Sequence, residues 1–308
     1  MVDIDTFLTT LYVMVDEFCK SRWAAKPRPG SLAALTLSEV ITLALFSRWR
    51  RFANERDFYR WADRHLRGAF PHLPHRSQFN RQVRLAQEAI VAFFLFLVEA
   101  LNAQQCAYEA LDATGVPVRD ARRRGEGWLV GQTNIGNCRR IGWFEGFYLL
   151  LAVNPTGVIT GFGFASASTK DQPLAETFFA ARAEPHPRLP SVGRKATGYY
   201  VVDKGFEGQE NHRRWRARYG AKVVCPPKKQ NRVQWPKALR RWAASIRQII
   251  ETVNEKLHNC FGLKEERPHH LSGFQARLAA RMALHNFCIW LNDQLGRPRL
   301  AFVDLVAW

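Results

Sequence analysis

The chain has 308 residues, 47% hydrophobic and 23% charged, which is enough for one large domain or two moderate ones and, with 12% aromatic residues, excludes a disordered chain. Lys and Arg number 45 against 27 Asp and Glu, and the resulting charge of +18 points to nucleic acid as partner. The six cysteines form no Cys-x-x-Cys pair, the start lacks the basic stretch of a signal peptide, and the longest apolar run, 89–98, is about half a bilayer span; a zinc knuckle, an export leader and a membrane segment are therefore not expected, and a cytoplasmic location is.

Residues 1–100 read as helices. Phe7, Leu8, Leu11, Val15 and Phe18 keep helical spacing. Thr36-Leu37-Ser38-Glu39 has the pattern of a capping box, and Asn54 is placed to cap a helix through Phe58, Trp61 and Leu66. Ser77 opens a long helix running through Phe79, Val83 and Ile90 towards Leu101. Its first turns, just after Arg76, carry Arg81 and Arg84. The segment 52–84 reads either as a helix-turn-helix variant with Arg76, Asn80, Arg81 and Arg84 facing phosphate, or as a helical bundle with a basic rim; the connection 68–76 is long for the former.

From about residue 105 the period changes. β-rich runs at 106–112, 147–153, 157–164, 199–203 and 221–225 are separated by a Gly- and Arg-rich loop (119–142), a helix from near Asp171 through Phe179, a Pro-rich loop (184–190) and a helix at 207–219. Hairpin strands, then strand–helix–strand, then helices predict a mixed α/β sheet with helices on its faces. Leu239, Trp242, Ile246, Ile249, Ile250, Val253, Leu257 and Phe261 mark a six-turn helix closed by Gly262, with Arg247, Glu251, Asn254 and His258 as the polar stripe beside them. A final helix follows at 271–295.

Asp112 and Asp203 each stand where a β-rich run meets a break, and Glu251 lies on the amphipathic helix. Two strand-end aspartates and a helical glutamate are what phosphodiester chemistry with two Mg²⁺ ions needs, because that metal takes oxygen ligands held on rigid elements. Each acid also has a plainer reading: Asp112 as a turn residue before Gly115, Asp203 as a turn or cap before Gly205, Glu251 as a solvated partner of Arg247. From Lys204 to Arg247 there are thirteen Lys and Arg against two Glu, a path for a phosphate backbone. Lys204, Lys228, Lys229, Arg247 and His258 are its candidate DNA contacts, with Arg76, Arg81 and Arg84 in the helical part. Trp215, Trp235 and Trp242 read first as core and second as surfaces on which a base could stack.

These segments carry a resemblance. Leu111-Asp112-Ala113-Thr114-Gly115-Val116-Pro117-Val118, Val202-Asp203-Lys204-Gly205-Phe206 and Ile246-Arg247-Gln248-Ile249-Ile250-Glu251-Thr252-Val253 resemble the acid-bearing blocks of bacterial insertion-sequence transposases with an Asp-Asp-Glu core, most closely the insertion sequence 982 family. Arg76-Ser77-Gln78-Phe79-Asn80-Arg81-Gln82-Val83 looks like that family's N-terminal arginine-rich segment. Gly273-Phe274-Gln275-Ala276-Arg277, His285-Asn286-Phe287 and Leu291-Asn292 look like its C-terminal helix.

The resemblance implies a ribonuclease-H-like mixed sheet flanked by helices and preceded by an all-helical N-terminal domain. The expected division is a helical domain at 1–104 able to bind DNA ends, a catalytic domain at 105–295 and a tail at 296–308. Asp112, Asp203 and Glu251 would hold two Mg²⁺ or Mn²⁺ ions. The implied reaction is hydrolysis at the element's ends, then attack of the freed 3′-hydroxyl on target DNA. The implied partners are double-stranded DNA, as terminal repeats and target, and a second copy of the chain on that DNA, in a nucleoid-associated complex with no small-molecule cofactor. Arg247, four residues before Glu251, would hold it or a DNA phosphate. Ala244 and His258 stand where related transposases often have Tyr and Lys, and the strand at 146–151 lacks the Lys and His of many relatives; both put the DNA-end contacts in question. The alternatives are a DNA-binding relative with weak or no catalysis and a nuclease of the same fold that cuts without strand transfer.

Overall fold

The computed structural model describes residues 1–23, 34–123, 125–138, 140–183, 191–193, 199–228 and 230–308. In chain order the elements are β1 (Val2–Asp3), α1 (Ile4–Arg22), α2 (Leu37–Phe46), α3 (Glu55–His65), α4 (Arg76–Leu85), α5 (Gln87–Ala100), β2 (Tyr108–Arg119), β3 (Asn134–Cys138), β4 (Gly142–Val153), β5 (Ile159–Ser166), α6 (Asp171–Ala183), β6 (Ser191–Gly193), β7 (Tyr199–Val202), α7 (Gln209–Tyr219), β8 (Lys222–Val224), α8 (Lys237–Asn259), α9 (Leu271–Gln294) and β9 (Val306–Ala307). They form two compact units, one of Met1–Leu97 with Leu257–Trp308, the other of Val98–Lys256.

The first unit is helical. Its helices begin where short polar side chains answer the orphan amides of the first turn. Asp3 accepts from Thr6 N at 2.7 Å, Asn54 accepts from Asp57 N at 3.0 Å, and Thr36 and Glu39 form the reciprocal capping box. Phe7 packs between Phe46, Trp49 and Phe287, with ring centroids 5.3–5.9 Å apart, and so ties α1 and α2 to α9. The short pair β1–β9 joins residues 2–3 to residues 306–307 in parallel. The long helix expected from Ser77 to Leu101 is two helices. Ala86, at φ −87° and ψ 3°, ends α4 with its amide on Gln82 O, and α5 restarts at Gln87. No Gly or Pro marks the bend; the apolar stripe of Phe79 and Val83 changes phase there into a helix apolar on every side.

The second unit is built on a mixed sheet, seven-stranded among the described residues, in the order β6-β5-β4-β2-β7-β8 with β3 on β4. β2, β4 and β5 run as an antiparallel meander; β7 and β8 lie parallel to β2. Helices α6 and α7 cover one face, where Phe178, Phe179, Phe206 and Trp215 bury against Leu111, Leu150, Tyr200 and Val202. This is the ribonuclease-H-like architecture, with a helical region before it. Trp215 is fully buried in that core, whereas Trp242 is partly exposed and meets Tyr108 edge-on at 6.0 Å. The Pro-rich loop at 184–190 lies outside the described residues.

β2 is longer than expected. The strand runs on from Asp112 through Ala113, Thr114 and Gly115 to Arg119, paired to β4 throughout. Gly115 is there for clearance rather than for a turn: a Cβ at this position would stand 2.7 Å from the Phe144 ring. β3, polar and exposed, was not expected in what reads as a loop.

Candidate active site

Asp112 sits at the place where β2 loses one neighbour. Leu111 pairs with Val202 in parallel register, and β7 stops there, so Asp112 and Asp203 follow one another on adjacent strands. Leu111 and Val202 face the core under α6 and α7; the period of two turns Asp112 to the opposite face. Asp203 keeps an extended backbone (φ −85°, ψ 178°) and caps the single 3₁₀ turn Lys204–Phe206, its Oδ1 accepting from Gly205 N at 2.6 Å. Buried Phe206 anchors that turn. The plainer reading of Asp203 as a cap and its placement beside Asp112 hold together, since capping occupies one carboxylate oxygen.

α8 meets Asp112 through Asn254, whose Nδ2 donates to Asp112 Oδ2 at 3.5 Å. Glu251 is one turn earlier on the same face, its side chain 55% exposed, and Arg247 Nη2 lies 3.4 Å from Glu251 Oε1 as an i,i+4 pair. Arg247 also acts on Asp112, favouring its charged form. A further acid joins this group. Asp171, the first residue of α6, approaches the turn so closely that a Cβ on Gly205 would overlap its Oδ2 and stand 2.9 Å from Asp203 Oδ1. The sequence placed Asp171 only as a helix start, where an acid is ordinary because it complements the helix dipole. Asn254 stood in the polar stripe of α8, but nothing in its spacing distinguished it from Glu251 or His258.

The electrostatics follow from the crowding. Burial first, and then the negative charge of Asp203, push Asp112 up to about 7, against the ordinary 3.8. Asp171 is raised for the same two reasons. Asn254 is 3% exposed, and its Oδ1 has no hydrogen-bond partner. Buried carboxylates that resist ionisation, beside an orphaned amide oxygen, fit a hard divalent cation, which takes oxygen ligands and compensates the negative charge. Among the described residues, no three His, Cys, Asp or Glu side chains are already gathered as a metal cage.

The remaining sequence candidates divide. Lys204 is exposed directly after Asp203. Lys228 is exposed, and its Nζ lies 3.4 Å from Glu207 Oε2. Lys229 lies outside the described residues. His258 is 2% exposed, a buried ring on the stripe that leads into Phe261, and therefore offers no surface to a DNA strand. In the helical unit Arg76 and Arg84 line one cleft; Arg81, on another side of α4, does not.

A family model described as a transposase DDE domain matches residues 110–287, more than half of the chain. No curated protein and no solved structure matches.

Proposed function

The chain belongs to the DDE transposase family, and on that premise we propose that it moves an insertion sequence of the 982 type, cutting DNA at the element's ends and joining them to a target. The observation that supports this reading is the register of β2 and β7, which sets Asp112 and Asp203 side by side with the Glu251 helix on Asp112. Asp112, Asp203 and Glu251 are the proposed metal ligands, with Asn254 Oδ1 as an added oxygen donor. Two Mg²⁺ or Mn²⁺ ions, when bound, neutralise charge on the attacking and leaving oxygens.

The chain's own residues do the rest. The cap on Gly205 N fixes Asp203, the β-ladder fixes Asp112, and Arg247 keeps Glu251 on the face of α8 that Asn254 shares. Lys204, Lys228 and Lys229 attract the phosphate backbone beside them, and Arg76, Arg81 and Arg84 hold it in the helical region of residues 1–104. Hydrolysis adds one water across a phosphodiester and leaves a 3′-hydroxyl and a 5′-phosphate. That hydroxyl then attacks a target phosphodiester: one P–O bond forms, one breaks, and the target strand releases its own 3′-hydroxyl. Two copies of the chain hold the paired ends.

The test is strand cleavage on a plasmid carrying the element with its native flanks, in Mg²⁺, Mn²⁺ or EDTA, with Asp203→Asn beside the wild type. Metal-dependent nicks at the boundaries and joined products, both absent in Asp203→Asn, are expected. Nicks without joined products would leave a nuclease, and equal binding without nicks in both proteins would remove the catalytic reading.

A further inference from the structure

The helical unit holds a cleft of about 350 Å³ between α2, α3, α4 and α9, a size in the range of small-ligand sites. Its inner wall is a buried ion cluster. Glu266 is paired with Arg277 at 2.8 Å and with Arg281, while Arg48 Nη1 stands 4.0 Å away. Three guanidinium groups thus share one carboxylate, and burial together with neighbouring Arg281 opposes the charge on Arg48. At the mouth, Arg56, Arg76 and Arg84 have no carboxylate within ion-pair distance among the described residues.

The buried polar atoms with unmet hydrogen-bonding capacity that face this cleft are donors. Trp49, 5% exposed, has an indole Nε1–H with no acceptor, and Arg277 Nη2 has none. An unmet buried donor costs about 1–3 kcal/mol, and excess buried positive charge costs more. What the cleft lacks is an acceptor-rich anion, held by arginine forks of the kind that fit phosphate oxygens. The volume takes one nucleotide, while a duplex is too wide to enter.

We infer that this cleft binds a phosphate-bearing nucleotide of an unpaired DNA strand, with Arg76 and Arg84 at its mouth and Trp49 and Arg277 as inner donors. The inference rests on DNA as the substrate, and places a second contact on it away from the acid-bearing site.

The experiment measures binding of the full-length protein to a fluorescein-labelled single-stranded oligonucleotide by anisotropy, in EDTA and across a salt series. EDTA separates this result from cleavage, so a failure of the catalytic reading leaves it untouched. Arg76→Ala/Arg84→Ala should weaken binding about tenfold or more and reduce the salt slope by about two, one for each lost phosphate contact. Arg64→Ala, an exposed arginine outside the cleft, controls for net charge and should change affinity less than about twofold. Arginine-selective labelling of the wild type, read by mass spectrometry, should show Arg56, Arg76 and Arg84 protected by the oligonucleotide. Equal losses from Arg64→Ala, or an unchanged double variant with no protection, would overturn the inference. So would inorganic pyrophosphate competing as well as the oligonucleotide, since that would mark a site for free phosphate.

Discussion

Asp112→Asn tests the electrostatics of the acid-bearing site without any assumption about DNA. The folded chain holds the Asp112 proton up to about pH 7, whereas the unfolded chain releases it near 3.8. Between these values the folded state binds more protons, so the group's contribution to stability is fully present below about pH 4 and is lost as pH rises through about 7. A separation of about three pK units corresponds to about 4 kcal/mol at 1.36 kcal/mol per unit. Urea unfolding followed by tryptophan fluorescence, in EDTA from pH 4.5 to 8, should therefore show the wild type losing stability relative to Asp112→Asn, which has no proton to release. Mg²⁺ or Mn²⁺ should restore the wild type near pH 8 and leave the variant unchanged, because only the wild type gains a ligand that favours its ionised fold. Parallel pH curves for the two proteins would refute the reasoning.

Two other substitutions follow from neighbouring contacts. Glu109 and Arg182 form a buried bidentate pair, at 2.8 and 3.2 Å, three residues before Asp112. Arg182→Met should cost about 3–5 kcal/mol in denaturant unfolding by stranding a buried carboxylate, and adding Glu109→Gln should recover a large part of it. Gly205→Ala should lower boundary nicking about tenfold or more with little change in stability, because its Cβ overlaps the Asp171 carboxylate beside Asp203; Asp171→Ala in the same chain should relieve the overlap, and nicking assays on the single and double variants check it.

The elements that could be read from sequence were those whose signals are local. The Thr36 box and the Asn54 cap announce their helices within four residues, and the β-rich runs at Phe147 and Tyr199 lie inside observed strands. Misreadings came where the deciding partner is distant in the chain. Gly115 looks like a turn until Phe144 is placed over it, and Ala86 bends a helix with no residue that breaks one. The adjacency of Asp112 and Asp203 follows from strand pairing across ninety-one positions, and the resemblance, not the spacing, joined them. Asp171 stayed hidden because an acid in the first turn of a helix needs no further reason to be there.

The helical unit is assembled from both sides of the sheet-bearing one: Met1–Leu97 is completed by Leu257–Trp308, and residues 2–3 pair with residues 306–307. During synthesis the chain emerges in order, at about 5–20 residues per second. The sheet-bearing unit is finished when Lys256 emerges, while Phe7 and Phe46 still lack Phe287 and Trp308 as ring partners. For the several seconds that the next 52 residues (308 − 256) take, the first helices present unsatisfied apolar faces to the cell. Vectorial synthesis thus orders the two units in time, and the part that comes out first closes last.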